Sequence, residues 1–66
     1  MGHNGKDLIN NLDQKLKEDV FKHTTGSRIP PTNWNNGDYD RALKQVEREN
    51  PTLAERIINF FTGKKQ

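Results

Sequence analysis

The stretch GDYDRALKQVERENPTLAERIINFF, residues 37–61, decides the fold class, because its apolar residues recur every three or four positions and a proline divides it. A helix is predicted over 39–50, with Asp38 as its N-cap. Pro51 ends this helix because a proline disfavours the helical conformation at the preceding Asn50. The apolar face of this predicted helix carries Tyr39, Ala42, Leu43 and Val46.

A further helix is predicted over 52–62, directly after the proline. Thr52 and Glu55 have the spacing of a capping box, in which each side chain accepts a hydrogen bond from an exposed backbone amide at the helix start. The apolar residues of this helix cover an arc of about 160°. Ile58 lies at the margin of that arc, so we expect part of the apolar face to stay uncovered. The arc comprises Leu53, Ala54, Ile57, Ile58, Phe60 and Phe61.

Upstream of this stretch, one amphipathic helix is predicted over 5–23. Asn4 is expected to cap its start, and Gly26 to stop the chain from continuing as a helix. Its apolar residues fall within an arc of roughly 120°. They are Leu8, Ile9, Leu12, Leu16 and Val20. Packing this helix along the other two gives an all-α, three-helix arrangement.

A long extended connection is predicted over 24–38, between the first and second helices. Pro30-Pro31 restricts the backbone to extended conformations, and Asn36-Gly37 favours a turn. The only tryptophan, Trp34, lies between these two features. The sequence leaves two roles open for Trp34: it covers the core near Phe21 and Tyr39, or it points outward and anchors a partner.

Length and composition limit what this chain can do. Its 66 residues fit one small helical domain spanning 1–66, with 1–4 and 63–66 expected to fray. Only 29% of the residues are hydrophobic and there is no cysteine, so the core is small and no disulfide reinforces it. Two histidines without cysteines do not supply a zinc site of the Cys/His type.

Catalysis is not predicted, and neither a cofactor nor a metal is expected. Ser27, His23 and Asp19 resemble a triad in residue type only, since Asp19 and His23 are an ordinary i,i+4 pair on a helix. No phosphate loop or dinucleotide fingerprint is present. The chain also has neither an apolar run of about 18 residues nor a charged and then apolar start, so a cytoplasmic location is expected.

The favoured function is non-enzymatic: binding to a larger protein as an inhibitor, adaptor or minor subunit, or self-association. A polar chain with surplus apolar and aromatic residues is typical of a binding protein. Tryptophan, tyrosine and arginine are enriched among the residues that dominate interface energies. The predicted anchors are Ile29, Trp34, Tyr39, Ile58 and Phe61, with Arg28 and Arg41 at the rim.

Two alternatives remain open from the sequence. The first is a nucleic-acid-binding protein in which bases stack on Trp34 or Tyr39 beside Arg28, Arg41 and Lys44. The second is association with a membrane surface through the C-terminal helix. In that case its apolar residues enter the lipid interface, and Lys64 and Lys65 meet anionic headgroups.

Overall fold

The computed structural model describes residues 4–63 and confirms the predicted all-α fold. These residues form four helices: α1 (Gly5–Asn10), α2 (Gln14–Thr25), α3 (Asn36–Glu49) and α4 (Pro51–Thr62). No strand occurs in this part of the chain. None of the four helices is both long and apolar enough to cross a membrane.

The single helix predicted over 5–23 is wrong, because the chain breaks at residues 11–13 into α1 and α2. The side chain of Asn11 donates to the carbonyl of Asp7 at 2.8 Å, and that of Asp13 accepts from the amide of Leu16 at 2.8 Å. Asparagine and aspartate side chains compete in this way with the regular helical hydrogen bonds. Leu12 is nevertheless buried, so the apolar stripe continues across the break.

The start of α3 lies three residues before the predicted one. Asn35, and not Asp38, is the N-cap; its side chain accepts from the amide of Asp38, and the Asp38 carboxylate accepts from the amide of Asn35. This reciprocal pair is a capping box with aspartate in the third helical position. The predicted turn at Asn36-Gly37 is therefore the first turn of α3, and the connection between α2 and α3 runs over 26–35.

The cap predicted for the last helix is also different in the structure. Asn50 is the N-cap of α4, with its side chain accepting from the amide of Leu53 at 3.2 Å. Pro51 occupies the first helical position, where its missing N–H needs no partner. Gly26 and Gly63 follow α2 and α4 in the left-handed conformation, at φ 86° and 78°. Of the tails predicted to fray, Asn4 and Gly63 are helix caps, and the rest lies outside the described residues.

Helix α3 is the centre of the fold, since it packs against each of the other three helices. Helix α2 also contacts α4. One core cluster joins all four helices, and its buried members are Ile9, Leu12, Leu16, Val20, Phe21, Tyr39, Ala42, Val46, Leu53 and Ile57. Apart from Phe21, which lies outside the predicted stripe of the first helix, the core residues belong to the predicted apolar faces. What remains exposed on those faces indicates where the chain can contact other molecules.

Candidate functional site

An apolar groove opens on the surface where α1, α3 and α4 meet. Its volume is about 290 Å³. Seven of its nine lining residues are apolar, and the other two are Glu47 and Thr62. The apolar lining consists of Leu8 from α1, Leu43 and Val46 from α3, and Ala54, Ile57, Ile58 and Phe61 from α4.

The width of the apolar face of α4 produces this groove. Leu53 and Ile57 point into the core and are buried. Ile58 lies about 140° around the helix from Leu53, so the same core does not cover it. Ile58 is 58% exposed and Phe61 is 43% exposed. The sequence-based expectation that Ile58 and Phe61 form surplus apolar surface thus agrees with their exposure.

Trp34 lies over a part of the core that does not line the groove. Its ring makes edge contacts with Phe21 at 5.6 Å and with Tyr39 at 5.1 Å between ring centroids. Phe21 and Tyr39 are buried, and Trp34 is half-buried against them. Of the two roles that the sequence left open for Trp34, the core-covering contact is the one that the structure contains.

The predicted anchors are therefore divided between two regions. Ile58 and Phe61 line the groove, while Trp34 and Tyr39 pack with Phe21 in a separate aromatic cluster and do not line it. The shallow pocket that Trp34 lines shares no residue with the groove. Ile29 is 74% exposed in the connection and does not line the groove.

The two predicted rim arginines bind carboxylates within the chain. Arg28 donates to Asp19 at 2.8 Å, and Arg41 forms a close ion pair with Asp38. Neither arginine lines the groove. Each arginine is paired with a carboxylate, which reduces the field that it presents to an approaching polyanion, but Arg28 shares Asp19 with Arg56.

Asp19 links three parts of the fold. Its carboxylate accepts from Arg28 in the connection and from Arg56 of α4 at 3.0 Å, while Asp19 itself belongs to α2. The hydrogen bond from Arg28 is the main cause that holds the pKa of Asp19 below its usual value; burial opposes it, and Arg56 adds to it. His23 and Glu49 join α2 to α3 at 3.2 Å. Asp19 and His23 thus contact other partners instead of forming a triad with Ser27.

Sequence reasoning misses two residues of the groove wall. It places Leu8 in the apolar stripe of the first helix and Leu43 in the apolar face of the second, yet both are only half-buried and line the groove. The position of Leu43 is the feature of the sequence that could have indicated the groove. Leu43 lies at the edge of the apolar face of α3, on the same side as Glu47 one turn later.

The fold and this groove define a small all-α protein with an open apolar surface beside its core. No protein-family model matches the chain, and neither a curated protein nor a solved structure matches it.

Proposed function

We propose that this chain is a non-enzymatic binding protein whose groove between α1, α3 and α4 receives another protein. The observation that supports the proposal is the exposure of Ile58 and Phe61 in a groove whose lining is mostly apolar. In a chain with only 29% hydrophobic residues, a contiguous apolar surface of this kind is typical of an interaction site. The role as an inhibitor, adaptor or minor subunit of an assembly belongs to the same proposal.

Of the anchors predicted from the sequence, the proposal keeps the two that lie on α4 and line the groove. Ile58 and Phe61 are the anchors, and Leu43 and Leu8 form the opposite walls. The packing of Trp34 and Tyr39 within the chain accounts for both aromatic residues without a partner. Arg28 and Arg41 likewise have partners in the chain, so neither is assigned a role at the rim.

A matched pair of substitutions tests the proposal. Ile58→Glu places a charge in the groove, whereas Ile29→Glu places the same charge on an exposed residue that does not line the groove. Both side chains are mainly in solvent, so each change is expected to alter the unfolding free energy by about 0.5 kcal/mol or less. We expect Ile58→Glu to abolish binding and Ile29→Glu to preserve it.

The measurement has two stages. Tagged wild-type and variant chains are used for affinity capture from the native host, and each protein retained by the wild type is identified, purified and titrated by calorimetry. A partner that binds the wild type and the Ile29→Glu variant, but not the Ile58→Glu variant, supports the proposal. If Ile58→Glu leaves the affinity of every identified partner unchanged, the groove is not the binding site.

Association with a membrane surface is the second candidate, and one observation favours it. Ile58, Phe60 and Phe61 are all substantially exposed along α4, and exposed apolar side chains of this kind are the groups that an interfacial helix inserts into lipid. Because α4 is already helical in the isolated chain, a gain of helicity on adding lipid is not the right test. Cosedimentation with anionic vesicles tests this candidate directly. Ile58→Glu should abolish the cosedimentation, and a wild-type chain that does not cosediment would eliminate the candidate.

A further inference from the structure

The length of the groove along α4 matches the spacing of anchors on a docked helix. Ala54, Ile58 and Phe61 line it at intervals of four and three residues, which covers two turns or about 10 Å. Amphipathic helices that bind in apolar grooves present their anchors at i, i+3 or i+4, and i+7. A helix lying alongside α4 therefore brings one apolar residue to each of these positions.

The charge at the groove indicates which residues such a helix carries beside its anchors. Glu47 is the only ionisable residue that lines the groove in the part of the chain that the structure describes. It is exposed on α3, at the wall opposite α4. A lysine or arginine of the bound segment is attracted to this carboxylate, and an acidic residue at the same place is repelled.

The exposed area argues against a second copy of this chain as the occupant. An aromatic side chain offers at most about 250 Å², so the exposed 43% of Phe61 amounts to at most about 110 Å². With Ile58 and the half-buried wall residues, the exposed apolar area of the groove is on the order of 300 Å². A stable interface buries about 800 Å² on each partner. A single helix needs only a narrow apolar strip, and the remainder of a larger partner can lie outside it.

From these three observations we infer that the occupant is an amphipathic α-helix of another protein, with apolar residues at i, i+4 and i+7 and a basic residue facing Glu47. This inference rests on the proposed function, because it names the kind of segment that the same groove binds. It places Glu47 as the residue that selects between basic and acidic helices, while Ile58 and Phe61 supply most of the affinity.

Three synthetic peptides of about 16 residues test the inference, a length at which an isolated helix is marginally stable. The first carries leucines at i, i+4 and i+7 with lysines at both edges of the leucine stripe. The second has glutamates in place of those lysines, and the third has the composition of the first with its leucines dispersed around the helix. Binding of each labelled peptide to the full chain is measured by fluorescence anisotropy.

We expect the lysine peptide to bind about two- to fivefold more tightly than the glutamate peptide, as an exposed ion pair allows, and the dispersed peptide not to bind. Glu47→Lys should reverse the preference, and Ile58→Glu should abolish binding of both peptides. Glu18→Lys is the matched control. It changes the net charge equally, but it lies on α2, which does not line the groove, so the preference should persist.

Three results would overturn the inference. The first is that the lysine peptide does not bind. The second is that Glu47→Lys alters the preference for the lysine peptide no more than Glu18→Lys does. The third is that sedimentation equilibrium shows a dimer of this chain that Ile58→Glu dissociates. The first two leave the proposed function intact if an identified partner still depends on Ile58, because that partner then uses a segment other than a basic helix. The proposed function fails separately, through partners that tolerate Ile58→Glu.

Discussion

The close contact between Gly5 and α3 allows the effect of Gly5→Ala on the unfolding free energy to be worked out from the structure. Gly5 is buried at the first position of α1, and its N–H donates to the Asp40 carboxylate at 2.6 Å. A Cβ at Gly5 would lie 2.6 Å from that carboxylate oxygen, 2.8 Å from the amide nitrogen of Asp40 and 2.8 Å from the carbonyl carbon of Tyr39. Two of these atoms are backbone of α3, so rotation of a side chain does not relieve the overlap.

The sign of the Gly5→Ala effect depends on two opposing free energies. Alanine is favoured over glycine in a helix by about 0.5–1 kcal/mol. Forcing an extra methyl group into a closely packed contact costs about 1–3 kcal/mol. The steric cost exceeds the helical gain because α3 is held in the core by Tyr39 and Ala42, so α1 is the element that must move. We expect a net loss of about 1–2 kcal/mol, which lowers the Tm by about 4–8 °C for each kcal/mol.

Gly37→Ala is the matched control for this substitution. Gly37 lies in the first turn of α3, and a Cβ there would meet nothing nearer than the Asn35 side chain at 3.4 Å. The helical preference of alanine then acts alone, and we expect a gain of up to about 1 kcal/mol. Urea unfolding of both variants, followed by far-UV circular dichroism, measures the two changes. A Gly5→Ala variant as stable as the Gly37→Ala variant would refute the close packing of α1 on α3.

Two further predictions concern the contacts that hold the connection and α4 in place. Asp19→Asn should cost about 1 kcal/mol at neutral pH, since both arginines are half-exposed and screened by solvent. Because the pKa of Asp19 is lowered in the folded state, the extra stability of the wild type is present above about pH 5 and shrinks as the pH falls below about 4. Urea unfolding of both proteins at several pH values measures this dependence. A difference in unfolding free energy that does not change with pH would contradict it. Trp34→Ala should cost about 2–3 kcal/mol because the indole packs on Phe21 and Tyr39 but stays partly in solvent, whereas Ile29→Ala should cost less than about 0.5 kcal/mol. Equal thermal stability of these two variants would show that Trp34 does not cover the core.

Much of the fold was predictable because local preferences and the apolar pattern agree. The apolar faces over 39–50 and 52–62 correspond to α3 and α4, and Gly26 ends α2 as expected. The errors fall where several polar residues compete for the same cap. Asn35 caps α3 in place of Asp38, and Asn50 caps α4 in place of Thr52. In each case both residues have suitable side chains, and the structure uses the earlier one: Asn35 accepts from the amide of Asp38, and Asn50 accepts from the amide of Leu53.

The break between α1 and α2 was not predictable from periodicity, since Ile9 and Leu16 on its two sides and Leu12 within it keep the same apolar stripe. The decision comes from side-chain hydrogen bonds of Asn11 and Asp13, together with the docking of α1 on α3 through Gly5. A straight helix would preserve the stripe, but it would not also bring Gly5 against Asp40. The tertiary contact therefore selects between two local structures that the sequence permits.

The same division applies to the candidate site. The wide apolar arc of α4 is a property of the sequence, and it predicted that Ile58 and Phe61 exceed what a small core covers. Sequence grouped these two with Trp34, because all three are apolar residues beyond the needs of a thin core. The structure separates them, since Trp34 contacts Phe21 and Tyr39 across residues far apart in the chain.

By itself, the sequence determined that this protein is helical, where its apolar faces lie and that α4 carries more apolar surface than it buries. Those properties depend on residues within one or two helical turns of each other. Only the tertiary structure decided that α1 and α2 are separate helices, that Trp34 covers the core and that Leu8, Leu43 and Ile58 meet around one groove. Side chains from separate helices meet only once the helices have packed, and no local pattern specifies which exposed residues then become neighbours.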